Sequence, residues 1–183
     1  MMNKLMMKLV VGTEAMFFLS LIVAFVYFSL SPAFKVLQLG TLDIKTTGIF
    51  SALLFFSSFT FWRADANFRK GRTQRLKFWL LITILLGVVF LLGQAKEYMK
   101  LLNEHVNLAS STFGTSFFTL TGFHGLHVLV GLIILTIVTC LAFMGDFDVG
   151  GSSVISTVGI YWHFVDIVWA FVFFVVYVSP HLM

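Results

Sequence analysis

The chain alternates between five long apolar runs, at 9–30, 46–64, 78–95, 113–143 and 154–179, and the short polar stretches that separate them. Each run is long enough to cross roughly 30 Å of hydrocarbon at about 1.5 Å per residue. The runs are continuously apolar and lack the two-residue alternation of barrel strands, which come in segments of about ten residues. Inside lipid the backbone must satisfy its own hydrogen bonds, which leaves helices. The expected fold is therefore an all-α membrane protein, a single domain over 1–183 built as a five-transmembrane-helix bundle. The only two prolines, Pro32 and Pro180, stand just past the ends of runs, where a helix can stop without losing interior hydrogen bonds.

Composition supports this pattern. The chain is 59% hydrophobic, 17% aromatic and only 11% charged, with a mean hydropathy of +0.99. So few charges cannot cover a water-facing surface, and the bilayer is the expected solvent. The first run is too long for the apolar core of a secretory signal, contains Glu14 and has no small-x-small cleavage site, so it is expected to be a retained helix. Cys140 is the single cysteine, which excludes a disulfide framework and a multi-thiolate metal site.

Basic residues predict the orientation. The stretch 63–77 carries Arg63, Arg69, Lys70, Arg72, Arg75 and Lys77 against Asp65 alone, and cytoplasmic loops are enriched in Lys and Arg. That places the N-terminus in the cytoplasm and the C-terminus outside. No nucleic-acid-binding fold surrounds the cluster. Contact with anionic lipid headgroups explains it, through Arg63, Arg69, Lys70 and Arg72. The loop 145–153 carries only acids, Asp146 and Asp148, and is uninformative under the same rule.

Ionisable groups in lipid are costly and hence informative. Glu14 lies in the first run, His124 and His127 in the fourth, His163 and Asp166 in the fifth, and Gln94, Glu97 and Tyr98 at the outer end of the third. His124 and His127 are three apart and share a helix face, as do His163 and Asp166, which would pair. Thr121, Gly122, Gly125 and Gly131 flank the first pair and permit close helix contact. These residues leave three readings open. The first is a buried polar cluster of Glu14, His124, His127, His163 and Asp166 that holds the bundle together, in a chain that supports a partner. The second is a b-type membrane anchor, with one haem between His163 and one of the other two histidines. The third is a proton-coupled transporter. Neither Glu-x-x-His di-iron motifs nor HExxH occurs, so no metal site and no catalytic residue is expected.

Four ordered blocks carry a family resemblance: "TEAMFF" (13–18), "GQAKEY" (93–98), "SFFTLTGFHGLHVLVG" (116–131) and "YWHFVDIVW" (161–169). Together they resemble subunit III of the haem–copper respiratory oxidases, cytochrome c or quinol oxidase, in its short five-helix form. The accessory subunit of nitric oxide reductase is a related alternative. The resemblance implies no cofactor in this chain, with haem and copper carried by partner subunits. His124, His127 and His163 fall short of the ligands that two haems and a copper need. It also implies packing beside catalytic subunit I and other oxidase subunits, bound phospholipid, and support for proton uptake and turnover in aerobic electron transport. A place in a respiratory supercomplex and in the bacterial plasma membrane follows from it as well. Two N-terminal helices of longer relatives, which form one wall of their lipid cleft, are missing from this pattern, so that cleft is expected to be either open or completed by another subunit. The acidic stretch "GDFDVGGSS" replaces the basic residues that meet headgroups in many of them.

Overall fold

The computed structural model describes residues 2–31, Phe34, 42–106, 111–145 and 152–182. Pro32, Asp146 and Asp148, used above to read the chain, lie outside the described residues. The described chain is helical: α1 (Met2–Ser29), α2 (Ile44–Phe68), α3 (Thr73–Asn103), α4 (Thr112–Met144) and α5 (Ser152–Phe173). A π-helical turn, Phe174–Val178, continues α5 into the short α6 (Ser179–Leu182). All five long helices are long and apolar enough to span a membrane. α3 begins before and ends after the apolar run 78–95, because the polar segment that follows Ala95 continues the helix beyond its most apolar part.

Local chemistry sets the helix ends. Asp43 caps α2, its Oδ1 accepting from the amides of Lys45 (3.0 Å) and Thr46 (3.3 Å) and its Oδ2 from the Thr46 hydroxyl (2.7 Å). These bonds hold the exposed Asp43 carboxyl below the usual carboxylate range, the Thr46 hydroxyl contributing most. Ser111 caps α4 by accepting from the Gly114 amide. α2 ends in a Schellman motif around Gly71, at φ +64°, with the Arg72 amide bonding back to the Asn67 carbonyl. α3 ends in the same motif with His105 at φ +60° in the left-handed position, where a Cβ is costly.

Pro180 does not end the helical path as the sequence suggested. Proline cannot donate to a carbonyl four residues back and crowds it. The π turn absorbs the mismatch: the Ser179 amide reaches the Phe174 carbonyl, five residues back.

α2 and α3 form an antiparallel hairpin, and α5 packs against α1, α2 and α4. The core is aromatic, and Trp162 and Trp169 of α5 are almost wholly buried. The Trp162 ring sits between Gly87 of α3 and Gly131 of α4, where a Cβ would stand 3.0 and 2.9 Å from its atoms. Glycine at both positions makes the slot for the indole.

Candidate functional site

Among the described residues, four interhelical polar contacts involve residues of the sequence blocks, and two of them, Glu14 with His127 and Gln94 and Tyr98 with Thr121, each join two different blocks.

The first contact joins α1 to α4. His127 Nε2 lies 3.1 Å from Glu14 Oε2, and His127 Nδ1 lies 2.7 Å from the Phe123 carbonyl. A carbonyl only accepts, so Nδ1 carries a proton. The bond between Nε2 and Glu14 then holds one further proton, placed either on the carboxyl or on the imidazole. The His127 and Glu14 side chains are 16% and 33% exposed, so the pair sits at the rim of the bundle rather than in its centre. Phe18 covers the imidazole edge-on, and the Tyr161 hydroxyl donates to the His127 carbonyl.

His124 stands apart from that pair. It is fully buried, stacked on Trp169 at 4.7 Å and edged by Phe90 and Phe18. Neither of its ring nitrogens has a hydrogen-bond partner. Aromatic packing alone holds this ring.

The second contact joins α2 to α5 as a ladder. Trp169 Nε1 donates to Ser51 Oγ (2.8 Å), and Trp162 Nε1 donates to Ser57 Oγ (3.1 Å). Between these rungs, Ser58 Oγ lies 2.9 Å from His163 Nδ1 and also donates to Asp166 Oδ2. His163 and Asp166 therefore meet through a serine of the opposite helix instead of each other, because both lean across to α2. With the serine proton committed to Asp166, His163 Nδ1 is the donor in the remaining bond. Asp166 is 4% exposed, and its Oδ1 has no partner. The ladder closes with Ser156 donating to Asp65, which also binds Arg69 at 2.6 Å.

The third and fourth contacts lie towards the other end of α3. Gln94 donates to the Thr121 carbonyl (2.7 Å) and to the Tyr98 hydroxyl (3.1 Å). Thr121 Oγ1 donates to the Phe117 carbonyl, so it accepts the Tyr98 proton at 2.8 Å. Glu97 accepts from Thr47 of α2 (3.0 Å) and from Tyr177 of the π turn (2.6 Å). A cavity of about 200 Å³ opens beside Glu97, floored by Phe50, Phe90 and Trp169.

Among the basic residues, Arg63 lies over the Trp79 ring at 5.6 Å and Arg69 is held by Asp65, while Lys70 and Arg72 are exposed at the α2–α3 turn. Among the described residues, no three His, Cys, Asp or Glu side chains converge as a metal site. The sequence reading missed Thr47, Ser51 and Ser58, which recur at helical spacing on one face of α2. It also missed Tyr161 and Tyr177. The small hydroxyl row was the available signal.

The family described as cytochrome c oxidase subunit III matches residues 2–180. The chain is 35% identical over 166 residues to "Cytochrome c oxidase subunit 3" of Synechocystis, covering 90% of this chain and 70% of that one. It is 38% identical over 136 residues to "Probable cytochrome c oxidase subunit 3" of Nocardia farcinica, covering 74% of this chain and 67% of the relative. It is also 32% identical over 166 residues to "Quinol oxidase subunit 3" of Bacillus subtilis, covering 91% and 81%.

Proposed function

Because the chain belongs to the cytochrome c oxidase subunit III family, we propose that it serves as the non-catalytic third subunit of a terminal oxidase in a bacterial plasma membrane, cytochrome c oxidase being favoured. The family match over nearly the whole chain carries this reading. The bundle's chemistry agrees with it. His127 has both ring nitrogens engaged, His163 is tied to Ser58, and His124 is walled in by aromatic rings. The histidines are used in packing and hydrogen bonding within the bundle, and in this reading haem and copper are carried by the partner subunits. The strong match to a quinol oxidase subunit keeps that enzyme as a second reading.

In this reading the basic α2–α3 turn faces the cytoplasm, and Lys70 and Arg72 contact phospholipid headgroups. Glu14 serves first to clamp α1 to α4. Its shared proton gives it a second role, tuning proton supply to the catalytic subunit. Turnover support follows from both.

The test is affinity purification from native membranes with a haem spectrum of the co-purified complex. A-type haem supports cytochrome c oxidase, and b plus o supports quinol oxidase. B plus c indicates nitric oxide reductase, and no haem overturns the subunit reading. Glu14→Gln is expected to leave assembly intact, since the amide still donates to His127 Nε2, and to change turnover modestly. Loss of the whole complex would show that the carboxyl is needed for folding.

A further inference from the structure

We infer that the cavity beside Glu97 seats the headgroup of an amine-bearing phospholipid, with its ammonium on the Glu97 carboxyl and its phosphate on Lys96 and Lys100. The inference rests on the reading of the chain as a membrane-spanning subunit, adds a ligand class and a place for it, and holds whichever oxidase the chain serves.

α2, α3 and α5 line this cavity and α1 takes no part in it. Its mouth is charged, with Asp43, Lys96 and Lys100 exposed, above the apolar floor already described. Glu97 is half-buried on its wall. Glu97 receives its two hydrogen bonds from neutral hydroxyls, those of Thr47 and of Tyr177, which the π turn brings across. An ionised carboxylate offers about four acceptor sites. Two therefore remain for a donor in the cavity that Glu97 lines. A half-buried carboxylate gains from a cation there, since charges drawn out of water are stable when paired.

Size, depth and charge select the occupant. A volume of about 200 Å³ far exceeds the ~10–15 Å³ that one water needs, and falls short of the roughly 300–1,000 Å³ of pockets that hold drug-sized molecules. It suits a small headgroup. Asp43 caps the start of α2 and Lys100 stands in the last turn of α3. Glu97 lies two residues past the apolar run that ends at Ala95, and about 9 Å along the helix from Asn103. That is the level of lipid headgroups, not of acyl chains. The lining carries two carboxylates, Asp43 and Glu97, and two ammonium groups, Lys96 and Lys100. An anionic headgroup would bring its charge against both carboxylates, whereas a zwitterionic one meets the opposite sign at each end. Lys96 and Lys100 are four apart and share a helix face, and lysine binds phosphate as a point charge. Lys100 also reaches Glu104 at 3.9 Å, and one ammonium with three donors can hold both. The remaining acceptor sites of Glu97 call for N–H groups, which a primary ammonium has and a choline group lacks.

The experiment places benzoylphenylalanine at Thr46, on the exposed rim of the cavity. The full complex is reconstituted in phosphatidylcholine nanodiscs with equal minor shares of phosphatidylethanolamine and phosphatidylglycerol, and adducts are identified by mass spectrometry. Ile133, in the apolar groove between α3 and α4, is the control position. From position 46, phosphatidylethanolamine adducts are expected about tenfold above that lipid's share of the bilayer, the weight of one hydrogen bond to a charged group. From position 133 both minor lipids should appear at their share. Glu97→Gln should bring the enrichment down towards the bilayer share. Lys96→Gln should lower it too, and its exposed position guards against a folding artefact. Adducts in bilayer proportion, enrichment of phosphatidylglycerol, a polypeptide adduct, or enrichment that survives both substitutions would overturn the proposal. If haem still co-purifies in those cases, the headgroup site fails and the subunit reading stands; if haem is absent, the subunit reading fails.

Discussion

Ser58→Ala removes one hydroxyl and, with it, the hydrogen bonds of two side chains. An intramembrane hydrogen bond contributes about 0.6 kcal/mol on average and ~1.7 kcal/mol at most. Ser58 makes two, to His163 and Asp166. Its loss also strands the second carboxyl oxygen of a residue that is 4% exposed, and a stranded buried acceptor costs ~1–3 kcal/mol. The expected destabilisation is about 2–4 kcal/mol. His163→Phe is the matched control. It keeps the edge-on ring contact with Phe61 at 5.7 Å and leaves Ser58 free to donate to Asp166, so about 1 kcal/mol is expected. The assay is reversible unfolding in mixed micelles, titrated with denaturing detergent and followed by Trp fluorescence. A Ser58→Ala cost below about 0.5 kcal/mol, or a larger cost for His163→Phe, would refute the bridging role of Ser58.

Three further outcomes follow from the same structure. Gly131→Ala puts a methyl 2.9 Å from the Trp162 ring and should cost ~1–3 kcal/mol in that assay, whereas Gly12→Ala, with nothing within 4 Å, should be neutral or mildly stabilising. His105→Gly relieves a left-handed backbone position at the end of α3 and should stabilise by about 1 kcal/mol; no gain would show that the His105 side chain offsets the strain. The Asp43 carboxyl titrates below its usual range, so its contribution to the first turn of α2 is complete above that range and is lost as pH falls through the lowered value. Amide exchange at Lys45 and Thr46 should accelerate on such acidification in the wild type and stay flat in Asp43→Asn.

The five helices were legible because continuous apolar length is a direct consequence of solvation by lipid. Helix ends were less so: hydropathy marks the hydrocarbon, and α3 runs on through Lys96–Asn103, past its most apolar part. At the site, spacing put His163 and Asp166 on one face but could not reveal that both reach Ser58. Contacts across helices depend on the register between two elements, which neither sequence records alone. His124 and His127 make the same point. Three residues apart, one is bound to Glu14 and the other is enclosed by Phe18, Phe90 and Trp169. Thr47, Ser51 and Tyr177 escaped notice because hydroxyl residues commonly bond within their own helix, as Ser51 also does to the Thr47 carbonyl.

The rungs between α2 and α5 act together as a brake on piston motion. Sliding one helix past the other by a single turn, about 5.4 Å, would break the bonds of Trp169, Trp162, His163, Asp166 and Ser156 in the same instant. A push from an adjoining polypeptide is therefore expected to tilt these two helices as one plank, and any long-range message through this subunit would travel as a change of angle.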